Sequence, residues 1–151
     1  MVNTGGDDNR VRISFIGSNF RGWFLDKIEG PITEQKLRYA KLLKSSVDSP
    51  IISELGGEAK AETTLTEMFS LMEKQKNGKA GVLLTNGYAN IFYVKDNAGV
   101  LRAVDVYWSS DGWGVNARSV EGPRAWYVGF QAFSRTLLSS NPAVLAVSPK
   151  G

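Results

Sequence analysis

The chain contains no cysteine and no histidine. Without cysteine there is no thiolate nucleophile, disulfide, iron–sulfur cluster or structural zinc site of the usual ligand types. Without histidine there is no serine–histidine–aspartate catalysis and no imidazole-ligated metal. Chemistry would fall to Asp, Glu, Lys, Arg, Tyr or Ser, a repertoire that weighs against an enzyme. A P-loop, a dinucleotide fingerprint and an EF-hand loop are all missing, so no cofactor and no metal are expected. No apolar run approaches the roughly 18 residues of a membrane helix. Residues 1–10 lack the basic start and apolar stretch of a signal peptide. The expectation is a cytoplasmic protein with no membrane partner, which the missing cysteines fit.

What is present has the balance of a globular domain, with 42% hydrophobic and 22% charged residues over 151 positions. The net charge is +3, and all of the excess sits late in the chain. Residues 1–78 carry 11 bases and 11 acids, whereas residues 79–151 carry 7 bases and 4 acids. A nucleic-acid protein usually shows a denser basic stripe, so scattered solvated charge is the simpler reading.

Val11, Ile13 and Phe15 alternate with polar residues and predict a short strand. Phe20, Trp23, Phe24 and Ile28 follow at helical spacing up to Gly30-Pro31, with Ser18 or Asn19 as the cap. Thr33 predicts the cap of a second helix, with Leu37, Ala40, Leu43 and Val47 on its apolar face. Residues 49–57 predict one or two helical turns, with Pro50 near the start and Gly56 at the exit. Residues 58–62 read as a polar connector. Thr64 and Glu67 form a capping-box pattern ahead of Leu65, Met68, Phe69 and Met72, which predicts a helix over 64–77 with Phe69 buried.

From Gly81 the texture changes to strands, at Val82–Thr85, Ala89–Lys95, Leu101–Trp108, Trp113–Val120 and Tyr127–Ser134. Turn residues separate them: Asn86-Gly87, Asp96-Asn97-Ala98-Gly99 and Ser109-Ser110-Asp111-Gly112. The fold class expected is α+β, with an N-terminal strand and three to four helices on one face of a C-terminal antiparallel β-meander of four to five strands. The organisation expected is a disordered segment 1–10, one domain over 11–135, and a tail over 136–151. That tail is either flexible or docks a short strand through Ala143–Val147.

Hairpin arithmetic selects a surface. If Trp108 faces Trp113, then Val106 faces Val115, Val104 faces Ala117, Asp105 faces Asn116 and Ala103 faces Arg118. If Lys95 faces Val100, Ile91 joins Val104 on the apolar side and Asn90 joins Asp105 on the other. The second side then holds Asn90, Phe92, Asp105, Asn116 and Arg118. These are the candidate ligand- or partner-binding residues, and no catalytic or metal-binding residue is assigned. Ordinary decoration of a solvated sheet by a cross-strand ion pair is the plainer alternative.

The stretch Asn90-Ile-Phe-Tyr-Val-Lys-Asp-Asn-Ala-Gly-Val-Leu-Arg-Ala-Val is followed by Tyr107-Trp108, Asp111-Gly-Trp113, Ala117-Arg-Ser-Val120 and Phe133-Ser-Arg135. Together with Phe15-Ile-Gly-Ser-Asn-Phe20, it is similar to short uncharacterised bacterial proteins with a Trp-rich C-terminal half. That resemblance implies no activity and transfers no functional residue. The order of helices before a curved meander resembles nuclear-transport-factor-2-like and cystatin-like rolls, an analogy of fold alone.

Three functions remain open on the residues. The first is a non-catalytic binding or assembly module using the sheet face of the C-terminal half, its partner being itself as a homodimer or another protein. The second is a small-ligand protein or enzyme with a cavity between helices and sheet, using Asp105 as acid/base and Arg118 to hold an anion; a buried Asp105 lining an enclosed pocket would favour it, and a solvent-exposed one would sink it. The third is a nucleic-acid binder, with Tyr93, Tyr107, Trp126 and Tyr127 as stacking rings.

Overall fold

The computed structural model of this protein describes residues 13–25, 27, 29, 37–135 and 144–146. Aromatic and β-branched residues are concentrated in three segments, which form β4 (Asn90–Lys95), β5 (Leu101–Ser109) and β6 (Gly112–Ser119). These three make an antiparallel meander. Trp108 pairs with Trp113, Val106 with Val115, Val104 with Ala117, Asp105 with Asn116 and Ala103 with Arg118, as the turn chemistry predicts.

Four shorter strands complete a seven-stranded sheet: β1 (Ile13–Ile16), β2 (Arg38–Lys41), β3 (Glu62–Thr63) and β7 (Gln131–Ser134). The order is β1-β6-β5-β4-β7-β2, with β3 alongside the second half of β4. The pairs β1–β6, β3–β4 and β4–β7 are parallel. The sheet is therefore mixed, not the purely antiparallel meander expected, and the likeness to curved rolls loses its basis. The cause is the link over residues 120–130. It is long enough for a crossover, so β7 lands beyond β4, parallel to it, instead of folding back on β6.

The helices are α1 (Ser18–Phe24), α2 (Asp48–Glu54), α3 (Glu58–Ala61) and α4 (Leu65–Lys74). α4 carries the predicted capping box, with Thr64 and Glu67 bonding reciprocally. The carboxylate of Glu29 adds two further caps, accepting from the backbone amides of Leu65 and Thr66 at 2.8 Å each. Met68 and Met72 are the fully buried residues of α4, and Phe69 is only partly buried. Residues 58–62 hold α3 and the start of β3 where a plain connector was expected.

Two predicted elements are replaced. Arg38–Lys41 is a strand, not part of a helix, because it pairs in full register with β7 and buries Ala40 alone. Thr33, the cap expected for that helix, lies outside the described residues, as do Ile28 and residues 1–10. Residues 82–85 are irregular chain instead of a strand. Gln75, Asn90 and Gln131 take their backbone groups: Leu83 bonds both ends of the Gln75 amide, Leu84 both ends of the Asn90 amide, and the carbonyl of Val82 accepts from Gln131. Part of the tail docks. Leu145 bridges Leu42, and the carboxylate of Glu54 accepts from the amides of Val144 and Leu145 at 2.8 and 2.9 Å.

Both faces of the sheet are covered, where one was expected to be open. The front face carries Phe92, Val94, Val104, Val106, Trp113 and Val115 under Phe24, Met68 and Met72. The back face carries Ile91, Tyr93, Ala103 and Ala132 under Ile51, Ile52, Leu55, Trp126 and Leu145. Among the described residues no helix is long and apolar enough to cross a membrane.

Candidate functional site

β4 pairs with β5 one residue away from the expected register: Lys95 faces Leu101, Phe92 faces Val104 and Asn90 faces Val106. The turn includes Val100 as well as Asp96-Asn-Ala-Gly. It is set by Asp96, whose carboxylate accepts from the amides of Ala98 and Val100 and whose own amide bonds the Val100 carbonyl. A slip of one residue exchanges the faces of the whole strand. Asn90 and Phe92 therefore lie on the front face, away from Asp105, Asn116 and Arg118. Phe92 stacks on Phe133 at 4.4 Å between centroids. Asn90 is fully buried, with its amide spent on Leu84, Val106 and Gln131. Its side chain orders the chain around residue 84.

The other three predicted residues do share the back face. Three rungs cross it: Tyr93–Ala103–Arg118, then Ile91–Asp105–Asn116, then Tyr107–Gly114–Phe15. Small side chains in the first and third rungs shape the surface. Ala103 leaves room between Tyr93 and Arg118, and α2 places the carboxylate of Asp48 there. Oδ1 of Asp48 accepts from the Tyr93 hydroxyl at 2.7 Å and from the Trp126 indole at 2.6 Å. Oδ2 lies 3.8 Å from Nε of Arg118, beyond hydrogen-bond length, and among the described residues neither atom has a hydrogen-bond partner. The guanidinium of Arg118 stacks on the Trp126 ring at 3.6 Å and donates to the Arg124 carbonyl at 2.7 Å. In the third rung Gly114 has no side chain, and the ring of Tyr107 occupies the space a Cβ would fill.

Asp105 lies diagonally across from Arg118 and is 8% exposed. Burial pushes its carboxyl up to about 7, against the opposing pull of Arg118 and with a further push from Asp48. Burial likewise raises Asp48, although the bonds from Trp126 and Tyr93 and the charge of Arg118 oppose it. Arg118 is lowered by burial while Asp48 and Asp105 hold it up. One guanidinium thus serves two buried carboxylates. The cluster's outer rim is open: Tyr107, Asn116 and Arg118 are half-buried, and Phe15 beside them is 51% exposed.

Of this cluster, Asp48 and Phe15 were not singled out as site residues by sequence reasoning, and Tyr93, Tyr107 and Trp126 entered only as stacking rings of the nucleic-acid reading. Asp48 carried one signal: an acid just ahead of the short apolar pair Ile51-Ile52, on the inward side of a helix. Among the described residues no three acidic side chains group as a metal site would require. No family model, no curated protein and no solved structure matches this chain.

Proposed function

We propose that this protein is a non-catalytic binding module whose ligand is a small, planar, polar molecule seated over Tyr107, Asn116 and Arg118. The observation that carries the reading is a buried carboxylate, Asp105, beneath a rim of half-buried polar side chains, on a face whose remainder is roofed by α2 and the 120–130 link. The rim supplies both hydrogen-bond signs through the amide of Asn116 and the hydroxyl of Tyr107, with the committed guanidinium of Arg118 as its wall. The rings of Tyr107 and Phe15 offer a flat apolar side. Catalysis is the weaker reading, because Arg118 is already engaged by Asp48, Trp126 and Arg124, which leaves little of it to hold an anion.

The test is an NMR titration with a library of planar polar fragments. Shifts on binding are expected along β5 and β6 around Tyr107 and Asn116. Tyr107→Phe and Asn116→Ala should each weaken binding about tenfold, the scale of one lost hydrogen bond. Hits confined to other surfaces, or affinities indifferent to both changes, overturn the reading.

A second reading, assembly with another copy or another protein, is favoured by a separate patch. Tyr88, Tyr127 and Val128 are exposed around Phe130, with ring centroids 5.4 and 5.6 Å from it. Light scattering of Tyr127→Ser and Val128→Ser variants tests it, since loss of a dimer or complex is the expected result. The nucleic-acid reading loses Tyr93 and Trp126 as stacking rings, because both are buried, and rests on the basic excess with Tyr107 and Tyr127; binding to single-stranded DNA that falls steeply with salt would support it.

A further inference from the structure

The 120–130 link crosses the back face and is held there near its middle. Trp126 exchanges two backbone hydrogen bonds with Ser46, at 2.8 and 3.0 Å. Its indole donates to Asp48 and its ring carries the guanidinium of Arg118. Arg118 in turn holds the Arg124 carbonyl. The crossing segment and the start of α2 are therefore both tied to the sheet through Asp48 and Arg118. That pair is held by charge alone, at 3.8 Å. A second carboxylate also acts on Arg118, because Asp105 is its diagonal neighbour across β5 and β6.

We propose that Asp48 and Asp105 compete for Arg118, and that the proton on Asp105 sets how firmly segment 120–126 is latched to the sheet. The inference concerns the same residues as the binding site but requires no ligand. The titratable or charged groups facing the cluster are Asp48 from α2, Tyr93 from β4, Tyr107 and Asp105 from β5, Arg118 from β6 and Arg124 from the link. With Asp105 protonated, Arg118 has one anionic partner, stays over Trp126 and keeps the Arg124 carbonyl. When the proton leaves to solvent, a second buried anion repels Asp48 and draws the guanidinium along the diagonal, away from the indole and the link. Burial places that titration in the neutral range, where a small change of pH acts on it.

The experiment follows hydrogen exchange of the Trp126 indole N–H and backbone amide by NMR, from about pH 5.5 to about pH 8.5, corrected for intrinsic base catalysis. In the unmodified protein, protection at both sites should fall across the range about tenfold more than that of amides in the centre of β5, which exchange through global unfolding. Asp105→Asn cannot ionise and should keep the low-pH protection throughout. Asp105→Leu serves the same purpose should the amide fail to fold. Protection that does not change with pH overturns the latch, as does an undiminished pH response in the folded Asp105 variants. A missing ligand would leave the Trp126 titration intact, so failure of the binding reading is distinguishable.

Discussion

The carboxylate of Asp48 is buried among donors, accepting from the Tyr93 hydroxyl and the Trp126 indole and facing the charge of Arg118. Replacing it with alanine removes the acceptor of the Tyr93 hydroxyl and of the Trp126 indole, and takes one of its two carboxylates from Arg118. Removal of one partner from a buried pair costs more than the pair is worth, because the other charge stays buried. Asp48→Ala should therefore cost roughly 3–5 kcal/mol in urea unfolding. Asp48→Asn should cost clearly less, since its amide oxygen still accepts from both rings. Gly114 gives a second residue-scale expectation. Any Cβ there would overlap the Tyr107 ring, so Gly114→Ala should turn that ring outward, cost at least about 1 kcal/mol and perturb the binding rim. The sequence made Asp105, Asn116 and Arg118 legible because the β5–β6 turn is tight and a Trp stands on each side of it. It could not do the same for Asn90 and Phe92. In Ile91-Phe-Tyr-Val94 both parities are apolar, since both faces of β4 are buried, so the pattern carries no information about register. Only the turn could have decided it, and Asp96 adds Val100 to that turn through its own side chain.

Among the elements, α4 was the most legible because its start is encoded locally. Thr64 and Glu67 close the capping box within four residues, and Thr64→Ala should cost about 1 kcal/mol. The second cap, Glu29, comes from 36 positions away and no local pattern announces it. The burial of α4 revises the mutational ranking: Met72→Ala should cost about 2–5 kcal/mol, and Phe69→Ala should cost less than a fully buried phenylalanine would. Thermal or urea unfolding of the two variants checks that order. β2 was misread for the opposite reason. Leu37, Ala40 and Leu43 recur at helical spacing, yet Arg38–Lys41 has the length and alternation of a strand whose main partner, β7, lies some ninety residues later. Long-range pairing of this kind overrides a short local pattern. The docked residues of the tail follow the same rule, as Val144 and Leu145 are held by Leu42 and Glu54 and not by their neighbours in sequence. Truncation before residue 144 should lower the melting temperature by several degrees, as expected for the loss of two buried apolar side chains and two capped amides.

For the whole molecule, the acids fall into two groups whose effects on stability have opposite signs. Burial weighs against the charged forms of Glu29 and Asp96, but hydrogen bonds outweigh it: those from Thr66, Leu65 and Lys27 at Glu29, and those from Val100, Arg102 and Ala98 at Asp96. Both pKa values end below their ordinary values. Such groups stabilise the fold above their unfolded pKa, and that contribution is lost as pH falls through the folded value. Asp105 and Asp48 end above theirs, with burial as the leading cause. The stability these two confer is complete below the unfolded pKa, near 3.8, and is lost as pH rises through the folded one, which for Asp105 is about 7. The interval between 3.8 and about 7 corresponds to roughly 4 kcal/mol at Asp105. Stability should therefore peak at about pH 4–5, more acidic than the usual range of roughly 5–8, and decline towards neutrality. Over most of that decline the slope should approach one proton, about 1.4 kcal/mol per pH unit. Urea unfolding at a series of pH values measures it directly. Asp105→Asn should flatten the neutral limb and leave the acid limb in place, because the acid limb belongs to Glu29 and Asp96. If the variant keeps the full neutral slope, Asp105 is not the group that titrates; if the unmodified protein is most stable above pH 7, neither buried aspartate controls its stability.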